Sequence, residues 1–307
     1  MSAEILAFPS GASSDTSGAS SDARPGAADG GRPGAAPVLI GCSHGTNDLT
    51  GRDVIRALLD DVRAARPDLD VREAFVDVQQ PEVADVVTSV VAPVSPTADG
   101  SASDGPTVDD GEPGAPANAV SASSRDAVVV PLLLSGGFHV SVDVAAAVED
   151  RGPGAGRAAA STPLGPDLRL VDLLADRLAE AGLRPGDAVV VAAAGSSRPG
   201  AARDVEELAA GLRERVPGPV TVGYGAMAKP SVPDAVAAAR ADLAPGGRVV
   251  VAAYLLAPGF FYDRVLEAGG DVVTAPLAPD ARLTAIVLDR YATAATTLAS
   301  ESRSLPT

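Results

Sequence analysis

The chain of 307 residues contains two histidines, His44 and His139, and each of them follows a short apolar run. Both lie beside glycines, which let the backbone turn sharply and approach a ligand closely. An apolar run that ends in such a turn is typical of a strand exit, where open parallel sheets place their binding sites. Imidazole suits divalent cobalt, iron and nickel, so the pair predicts a site that holds a metal loosely enough to pass it on. The alternative is that each histidine is a hydrogen-bonded turn residue.

Asp77 is the third candidate, because it follows an apolar run at the same predicted edge of the sheet. A carboxylate near two imidazoles would either touch the metal or accept protons from a substrate. Spacing alone leaves a solvated strand-end carboxylate equally open. For Asp143, four residues after His139, the favoured interpretation is a residue that caps or begins the following helix, and the alternative is a hydrogen-bond partner of His139.

The apolar pattern alternates between strand-like runs and helical spacing, which predicts parallel sheets with helices on both faces. The alternation runs through the first half of the chain and restarts after Gly186. The predicted strands are residues 37–42, 71–78, 127–134, 188–193, 220–224 and 248–256. The predicted helices are one that begins near residue 54 and those at residues 82–91, 167–181, 202–215 and 232–243.

Local similarities between the two halves indicate a tandem repeat. Residues 74–81 match residues 223–230 with an aromatic residue and a proline in step. Residues 133–139 match residues 255–261 in the same way. We therefore predict the α/β class, as two similar tandem domains, each a small parallel sheet flanked by helices, with a cleft between them.

The two predicted domains differ in their chemistry. Where the first has His44 and His139, the second has Ala194 and Phe261, so only the first is expected to bind the metal. The expected boundaries are residues 37–185 for the domain with the metal site and residues 186–300 for the domain without histidines.

Three stretches are rich in Gly, Ala, Ser, Asp and Pro and have few large apolar side chains. Such segments cannot bury enough surface to offset the entropy of ordering. Residues 1–36 are therefore predicted to be a disordered tail and residues 94–125 a disordered insert. Residues 151–163 are predicted to be a shorter surface insertion.

Composition disfavours several classes of partner. The net charge is −16 and aromatic residues make up 3% of the chain, with no Trp. Such a surface repels phosphate backbones and anionic lipids, and it offers few rings on which bases could stack. We therefore expect neither nucleic acid nor a membrane as partner. The single cysteine and the absence of a signal peptide or a long apolar run favour the cytoplasm.

The turn at residues 195–200, Gly-Ser-Ser-Arg-Pro-Gly, is a weak candidate for an anion cradle before a helix. It lacks both the Gly-x-Gly-x-x-Gly fingerprint and the P-loop signature. No organic cofactor is expected.

The residues around the histidines resemble the sirohydrochlorin chelatases, class II enzymes that insert cobalt on the cobalamin pathway or iron in sirohaem synthesis. Residues 41–48 are similar to that family's strand and His-Gly-Ser/Thr turn. Residues 131–143, PLLLSGGFHVSVD, are close to its PLLL-Ser-Gly-His-Val segment with a later aspartate. Residues 75–81 resemble its Phe-Leu-Glu-Leu-x-Glu-Pro segment. The resemblance covers about residues 37–295, outside the inserts.

This resemblance implies that His44 and His139 are the metal ligands and Asp77 the acidic partner. The metal, Co²⁺ or Fe²⁺, would be a substrate rather than a resident cofactor, and sirohydrochlorin would be the other substrate. Two departures concern the acidic side chains: Asp77 is one methylene shorter than the usual glutamate, and Gln80 stands where a second glutamate is common.

Sirohydrochlorin carries eight carboxylates, so an acidic protein needs local positive charge to bind it. Four basic residues near strand exits are candidates, and arginine contacts would be the strong ones. These residues are Arg52, Arg198, Lys229 and Arg264.

Two other functions fit the histidine pair. A histidine phosphatase also uses a His-Gly turn after a first strand, but it needs an arginine at the position of Ser43. A non-catalytic protein that binds or delivers cobalt or nickel would use the same two imidazoles.

Overall fold

The computed structural model of the chain describes residues 35–92 and 124–303. The predicted tail, residues 1–36, and the predicted insert, residues 94–125, lie outside the described residues except for the last two residues of each. Both therefore stay predictions. At the end of the predicted insert, Arg125 forms an ion pair with Asp70 at 2.8 Å.

Two four-stranded parallel sheets form the framework, which confirms the predicted α/β class and tandem repeat. The strand order is β2-β1-β3-β4 in the first sheet and β6-β5-β7-β8 in the second. The strands are β1 Val38–Ser43, β2 Val71–Phe75, β3 Ala127–Pro131, β4 Ala158–Ala160, β5 Ala188–Ala193, β6 Val220–Tyr224, β7 Val249–Tyr254 and β8 Val272–Val273. The helices are α1 Leu49–Ala65, α2 Val83–Val91, α3 Ala145–Ala147, α4 Leu168–Glu180, α5 Pro199–Arg213, α6 Val232–Ala241, α7 Phe260–Leu266 and α8 Ala281–Arg303, with a π-helical turn at Val140–Val144.

The central strands are buried on both faces, as expected for parallel sheets covered by helices. Every residue of β1, β3, β5 and β7 is buried. The helices α2 and α6 cover the outer faces, and α1, α4, α5 and α8 lie between the two sheets. Among the described residues, no helix is long and apolar enough to cross a lipid bilayer.

The interpretation of residues 151–163 as a surface insertion was wrong. Residues 158–160 form β4, an edge strand that pairs in parallel with β3 through Ala127–Ala158, Val128–Ala159 and Val129–Ala160. Three alanines in a Gly-rich setting give no hydrophobic strand signal, so the sequence alone does not show this strand. Its counterpart in the second sheet is β8.

Helix α1 begins earlier than its apolar pattern predicts, because a side chain caps its first turn. The helix predicted from residue 54 begins at Leu49, because the carboxylate of Asp48 accepts a hydrogen bond from the Gly51 amide at 2.6 Å and caps it. Its buried side chains, such as Ile55 and Leu59, begin only one turn later. Hydrophobic periodicity therefore detects a helix from its first buried side chain and not from its cap.

The helices α4 and α8 are exchanged between the halves. Helix α4 precedes residue 186 but packs on α5 and β7, whereas α8, at the end of the chain, packs on α1, β3 and β4. Arg177 of α4 donates hydrogen bonds to the carbonyls of Pro276 and Leu277, before α8. Arg290 of α8 donates to the carbonyls of Pro163 and Leu164, before α4. Each half is therefore completed by a helix from the other.

The exchange produces one shared core. A single cluster of buried side chains includes β1 and β3 of the first sheet and β5 and β7 of the second, and it is joined through the four helices between them. The predicted boundary between residues 185 and 186 lies in the turn between α4 and β5. The two halves are thus repeats in sequence but one packed body in the structure.

A buried ion pair begins the second sheet. Asp187, whose side chain is 3% exposed, accepts hydrogen bonds from the Arg184 amide and from the guanidinium of Arg248 at 2.6 Å. The Arg248 guanidinium holds the pKa of the Asp187 carboxyl below its usual range. A carboxyl whose pKa is lowered on folding stabilises the protein above its unfolded pKa of about 3.9 and loses that effect as the pH falls through the folded value.

We expect Asp187→Ala to lower the free energy of unfolding at pH 7 by about 2 to 3 kcal/mol, because Arg248 and the Arg184 amide lose their shared acceptor. The difference from wild type should shrink as the pH falls from about 4, where the unfolded carboxyl is protonated, through the lower pKa of the folded carboxyl. Urea unfolding followed by circular dichroism, at pH 7 and at about pH 3, measures the free energy of unfolding of both proteins. Asp172→Ala, which breaks an exposed pair with Arg215, is the control and should cost less than about 0.5 kcal/mol. Equal effects of the two substitutions would contradict the role given to Asp187.

Candidate metal centre

A cleft of about 1030 Å³ lies where the carboxyl ends of both sheets meet. This volume is at the upper end of the ~300–1,000 Å³ that small-molecule sites occupy. Both halves contribute the loops that follow their central strands, and most of the lining is apolar. The lining loops include residues 43–48, 132–135, 137–139, 193–197 and 254–263.

His44 lies in the cleft wall at the end of β1. The turn needs a glycine after it, because Gly45 has a φ of +89° and a Cβ there would collide with the carbonyl oxygen of Asp77. The Asp77 amide in turn donates a hydrogen bond to the His44 carbonyl at 3.2 Å. The backbone of His44 is thus held against the loop that follows β2.

His139 lies at the start of the π-helical turn Val140–Val144. Its Nδ1 is 2.6 Å from a carboxylate oxygen of Asp143, and both side chains are about one-third exposed. The prediction that Asp143 caps or begins a helix holds in its second form, because Asp143 lies in the first turn of this π-helical segment and makes no capping hydrogen bond. The alternative prediction, a partner of His139, is confirmed. With Nδ1 bonded to the carboxylate, the Nε2 lone pair is available to a metal.

The two imidazoles lie side by side. Their ring centroids are 4.7 Å apart and the planes are nearly perpendicular, at 87°. Among the described residues, no group of three or more His, Cys, Asp and Glu side chains converges as a metal site. The two imidazoles are therefore the nitrogen groups that this part of the chain brings together as candidate ligands.

Cys42 lies behind His44 in β1 but does not add a ligand. It is fully buried, and burial, with the nearby Asp143 carboxylate, raises the pKa of its thiol to about 12. A thiol binds metal as the thiolate, so Cys42 stays a small core residue near neutral pH.

Asp77 lies next to His44 in the backbone, but its side chain is exposed and does not line the cleft. One carboxylate oxygen accepts a hydrogen bond from the neighbouring Val78 amide at 2.7 Å. The carboxylate that lines the cleft on this strand is Glu73, which is 24% exposed and 3.8 Å from Arg56. The role of Asp77 stays a prediction.

The four basic candidates occupy different places. Arg52 lines the cleft, and its Nε donates to the Thr46 carbonyl at 2.7 Å. Arg198 and Arg264 are exposed and do not line the cleft, but each lies over a ring that does. The guanidinium of Arg198 lies 5.5 Å above the Phe138 ring, and that of Arg264 lies 5.5 Å above the Phe260 ring. Lys229 is exposed and does not line the cleft.

Sequence reasoning missed the exposed apolar side chains at the mouth of the cleft. Phe138 and Phe260 are at matched repeat positions, as are Val78 and Met227, and all four line the cleft. Met227 is 82% exposed. The repeat alignment was the available signal, because large apolar residues recur at the same loop positions in both halves. An exposed apolar patch of this kind is typical of a binding surface.

Comparison with known proteins gives a consistent result. A family model described as CbiX matches residues 106–181 and again residues 188–294, together more than half of the chain. The second match covers the half without histidines. None of the curated proteins matches the sequence.

Solved structures share the fold at low identity. SirB from Bacillus subtilis with Fe³⁺ has a TM-score of 0.66 and 18% identity, over 87% of this chain and 98% of its own. The sirohydrochlorin chelatase SirB of Bacillus subtilis subspecies spizizenii in complex with cobalt has a TM-score of 0.61 and 17% identity, over 85% and 96%. CbiX, the terminal enzyme of sirohaem biosynthesis in denitrifying bacteria, has a TM-score of 0.53 and 18% identity, over 84% and 99%.

We expect Asp143→Ala to weaken Co²⁺ binding by about 10-fold or more, because His139 loses the partner that fixes its ring and tautomer. Isothermal titration with CoCl₂ measures the dissociation constant, and circular dichroism checks the fold. The control is Glu149→Ala, an exposed carboxylate six residues further along the same segment. An unchanged Co²⁺ affinity in folded Asp143→Ala would contradict the role of the pair.

Proposed function

This chain belongs to the CbiX family, and from that premise we propose that it is a sirohydrochlorin chelatase that inserts Co²⁺ or Fe²⁺ into the macrocycle. The observation that carries the proposal is the pair of imidazoles, 4.7 Å apart, in the wall of a cleft of about 1030 Å³. An ion alone needs no such volume, whereas a tetrapyrrole does. The family resemblance of the histidine segments supports the same reaction.

His44 and His139 bind the incoming metal in this proposal. Asp143 holds Nδ1 of His139, so Nε2 presents its lone pair to the ion. With two neutral nitrogen ligands the protein binds the ion weakly enough to release it. The pyrrole nitrogens of the substrate then replace the imidazoles as ligands.

The macrocycle is proposed to lie between the loops of the two halves. The exposed rings of Phe138 and Phe260 and the side chains of Val78 and Met227 provide apolar contacts for its faces. Arg52, in the cleft lining, and Arg198 and Arg264, over the rings of Phe138 and Phe260, are proposed to bind its peripheral carboxylates. Lys229, exposed in the loop after β6, is the fourth candidate. Sirohydrochlorin, with a flat apolar centre and carboxylates at its edge, fits a cleft with apolar side chains inside and basic residues around them.

Insertion releases two pyrrole protons, so a base beside the metal lowers the barrier. By family resemblance the proposed acceptor is Asp77, whose backbone amide bonds the His44 carbonyl. Glu73 is the second candidate because its carboxylate lines the cleft.

The rival functions have less support. A non-catalytic cobalt or nickel carrier would need the two imidazoles but not the large apolar cleft beside them. A histidine phosphatase would need an arginine beside the nucleophile, and Ser43 stands there. We propose a cytoplasmic location, which suits the single, buried cysteine. The exclusion of nucleic acid and membrane as partners stays a prediction.

We expect wild-type protein to convert sirohydrochlorin and Co²⁺ to the cobalt complex, and we expect His44→Ala and His139→Ala each to lower the rate by at least about 100-fold through loss of a ligand. The change in the visible spectrum of the macrocycle measures the rate. Asp60→Ala, an exposed residue of α1, is the control and should insert cobalt at the wild-type rate. Wild-type rates in both histidine variants would refute the proposed mechanism.

We expect Asp77→Asn to slow insertion by about 10- to 100-fold while the Co²⁺ dissociation constant stays within about 3-fold, because it removes a base and not a ligand. Insertion kinetics and calorimetry on the same preparation separate the two quantities. Glu73→Gln is the matched comparison and should insert cobalt within about 3-fold of wild type. The reverse pattern would contradict the proposal for Asp77 and assign the proton acceptor to Glu73.

A further inference from the structure

The loop that carries His139 is held by the second half of the chain. The hydroxyl of Tyr254, at the end of β7, donates a hydrogen bond to the Leu134 carbonyl at 2.9 Å. The carboxylate of Asp204, on α5, accepts one from the Gly136 amide at 2.8 Å. Both anchors meet the loop within five residues of His139.

The anchored segment contains two consecutive glycines and a short backbone hydrogen bond of its own, from the Gly137 amide to the Ser135 carbonyl at 2.9 Å. Gly136 and Gly137 stand between the end of β3 and His139, and glycines leave the backbone free to adopt many conformations. Its direct contacts across the cleft are with the second half: a Cβ at Gly136 would lie 3.4 Å from the Asp204 carboxylate, and one at Gly137 3.4 Å from the Ser196 hydroxyl. Asp143 sets the direction of the His139 ring from within the turn, and the contacts from the second half set where the loop before the turn lies.

The first half has no counterpart of the Asp204 hydrogen bond at the matching position of the repeat. Gly45 and Gly195 occupy the same turn, with φ of +89° and +90°, so helix positions in the halves correspond at a spacing of 150 residues. Val54 then stands where the second half has Asp204. The loop partner has changed with it, because the counterpart of Gly136 is Pro258, which has no amide proton to donate.

The hydrogen bond of Tyr254 also has no counterpart in the first half. The residue that corresponds to Tyr254 is Leu132, which has no hydroxyl group. Tyr254 is 2% exposed, and burial raises the pKa of its hydroxyl, so the group stays a proton donor. Both anchors thus point from the half without metal ligands to the half that has them.

We infer that Asp204 and Tyr254 are positioning residues that fix the His139 loop, and with it the geometry of the two imidazoles. The inference rests on the proposed function insofar as His139 is a metal ligand. It gives the second half a role in the reaction beyond forming a wall of the cleft. Free rotation of the loop would change the separation of the rings, and small misplacements of a reacting group cost large factors in rate.

The test uses the full-length protein and the variants Asp204→Ala, Asp204→Asn and Tyr254→Phe. The amide oxygen of Asp204→Asn still accepts from Gly136, so this variant should restore what Asp204→Ala loses. Glu206→Ala removes an exposed carboxylate from the same helix and is the matched control. Because the chain has two histidines, the imidazole Cε1–H region of a ¹³C-edited NMR spectrum contains two signals, which His44→Ala and His139→Ala assign.

We expect Asp204→Ala and Tyr254→Phe to shift and broaden the His139 ring signal and to weaken Co²⁺ binding by about 5- to 10-fold. We also expect kcat for insertion to fall by about 10-fold while KM for sirohydrochlorin stays within about 2-fold. Asp204→Asn and Glu206→Ala should match wild type in all three measurements.

Two outcomes would overturn the inference: a folded Asp204→Ala and Tyr254→Phe with unchanged His139 signal and Co²⁺ affinity, or an Asp204→Asn as impaired as Asp204→Ala. If Asp204→Ala fails to fold, the comparison of Tyr254→Phe with wild type decides. The NMR and Co²⁺ measurements need no insertion activity. A wild-type protein that inserts no metal would therefore contradict the proposed function while the positioning test still gives an answer.

Discussion

The reciprocal packing of α4 and α8 is the interaction on which the cleft depends. Each helix carries an arginine that binds backbone carbonyls of the loop leading into the other helix, Arg177 in one case and Arg290 in the other. Carbonyl groups in such loops would be unsatisfied in a core, and the guanidinium satisfies several of them at once. The exchange joins the two sheets through one apolar cluster. The carboxyl ends of the two sheets then face each other, so the loops that follow the strands form the walls of the cleft.

The two halves keep the same backbone while their chemistry differs. Gly45 and Gly195 have φ of +89° and +90°, and Val78 and Met227 have φ of 60° and 61° at the matched position of the next loop. The non-glycine residues are held in a conformation that L-residues rarely adopt. The second half therefore retains the turn that holds His44 in the first half, although Ala194 and Phe261 stand where the first half has its two histidines. Its turns shape the opposite wall of the cleft, and its polar side chains reach across to the first half.

The strands and the histidine pair could be predicted because each depends on local sequence: apolar runs give the strands, and parallel topology brings strand exits to one edge. Residues 158–160 could not, since a strand of three alanines has no periodic signal and is defined by its partner. Nor could the exchange of α4 and α8, because an amphipathic helix shows that it has a buried face but not which sheet covers it. Asp77 and Glu73 differ by side-chain direction, which spacing at strand ends does not specify. The family resemblance predicts Asp77 as the acidic partner of the histidines, whereas only the fold shows that Glu73 lines the cleft.

The protein has a net charge of −16, and the proposed substrate is also anionic. Arginines that form no ion pair are the groups that could attract it. Most arginines of the described chain pair with aspartate or glutamate, which neutralises them locally. Within that part of the chain, six arginines form no ion pair with a carboxylate, and three of them, Arg52, Arg198 and Arg264, are the arginines proposed to bind the substrate. Arg52 bonds a backbone carbonyl, and the other two lie over the rings of Phe138 and Phe260. An arginine stacked on an aromatic ring keeps its edge free to bind a carboxylate in bidentate fashion. The net charge of −16 acts at long range, where salt screens it, so the carboxylates of the proposed substrate would respond mainly to the guanidinium groups nearest the cleft.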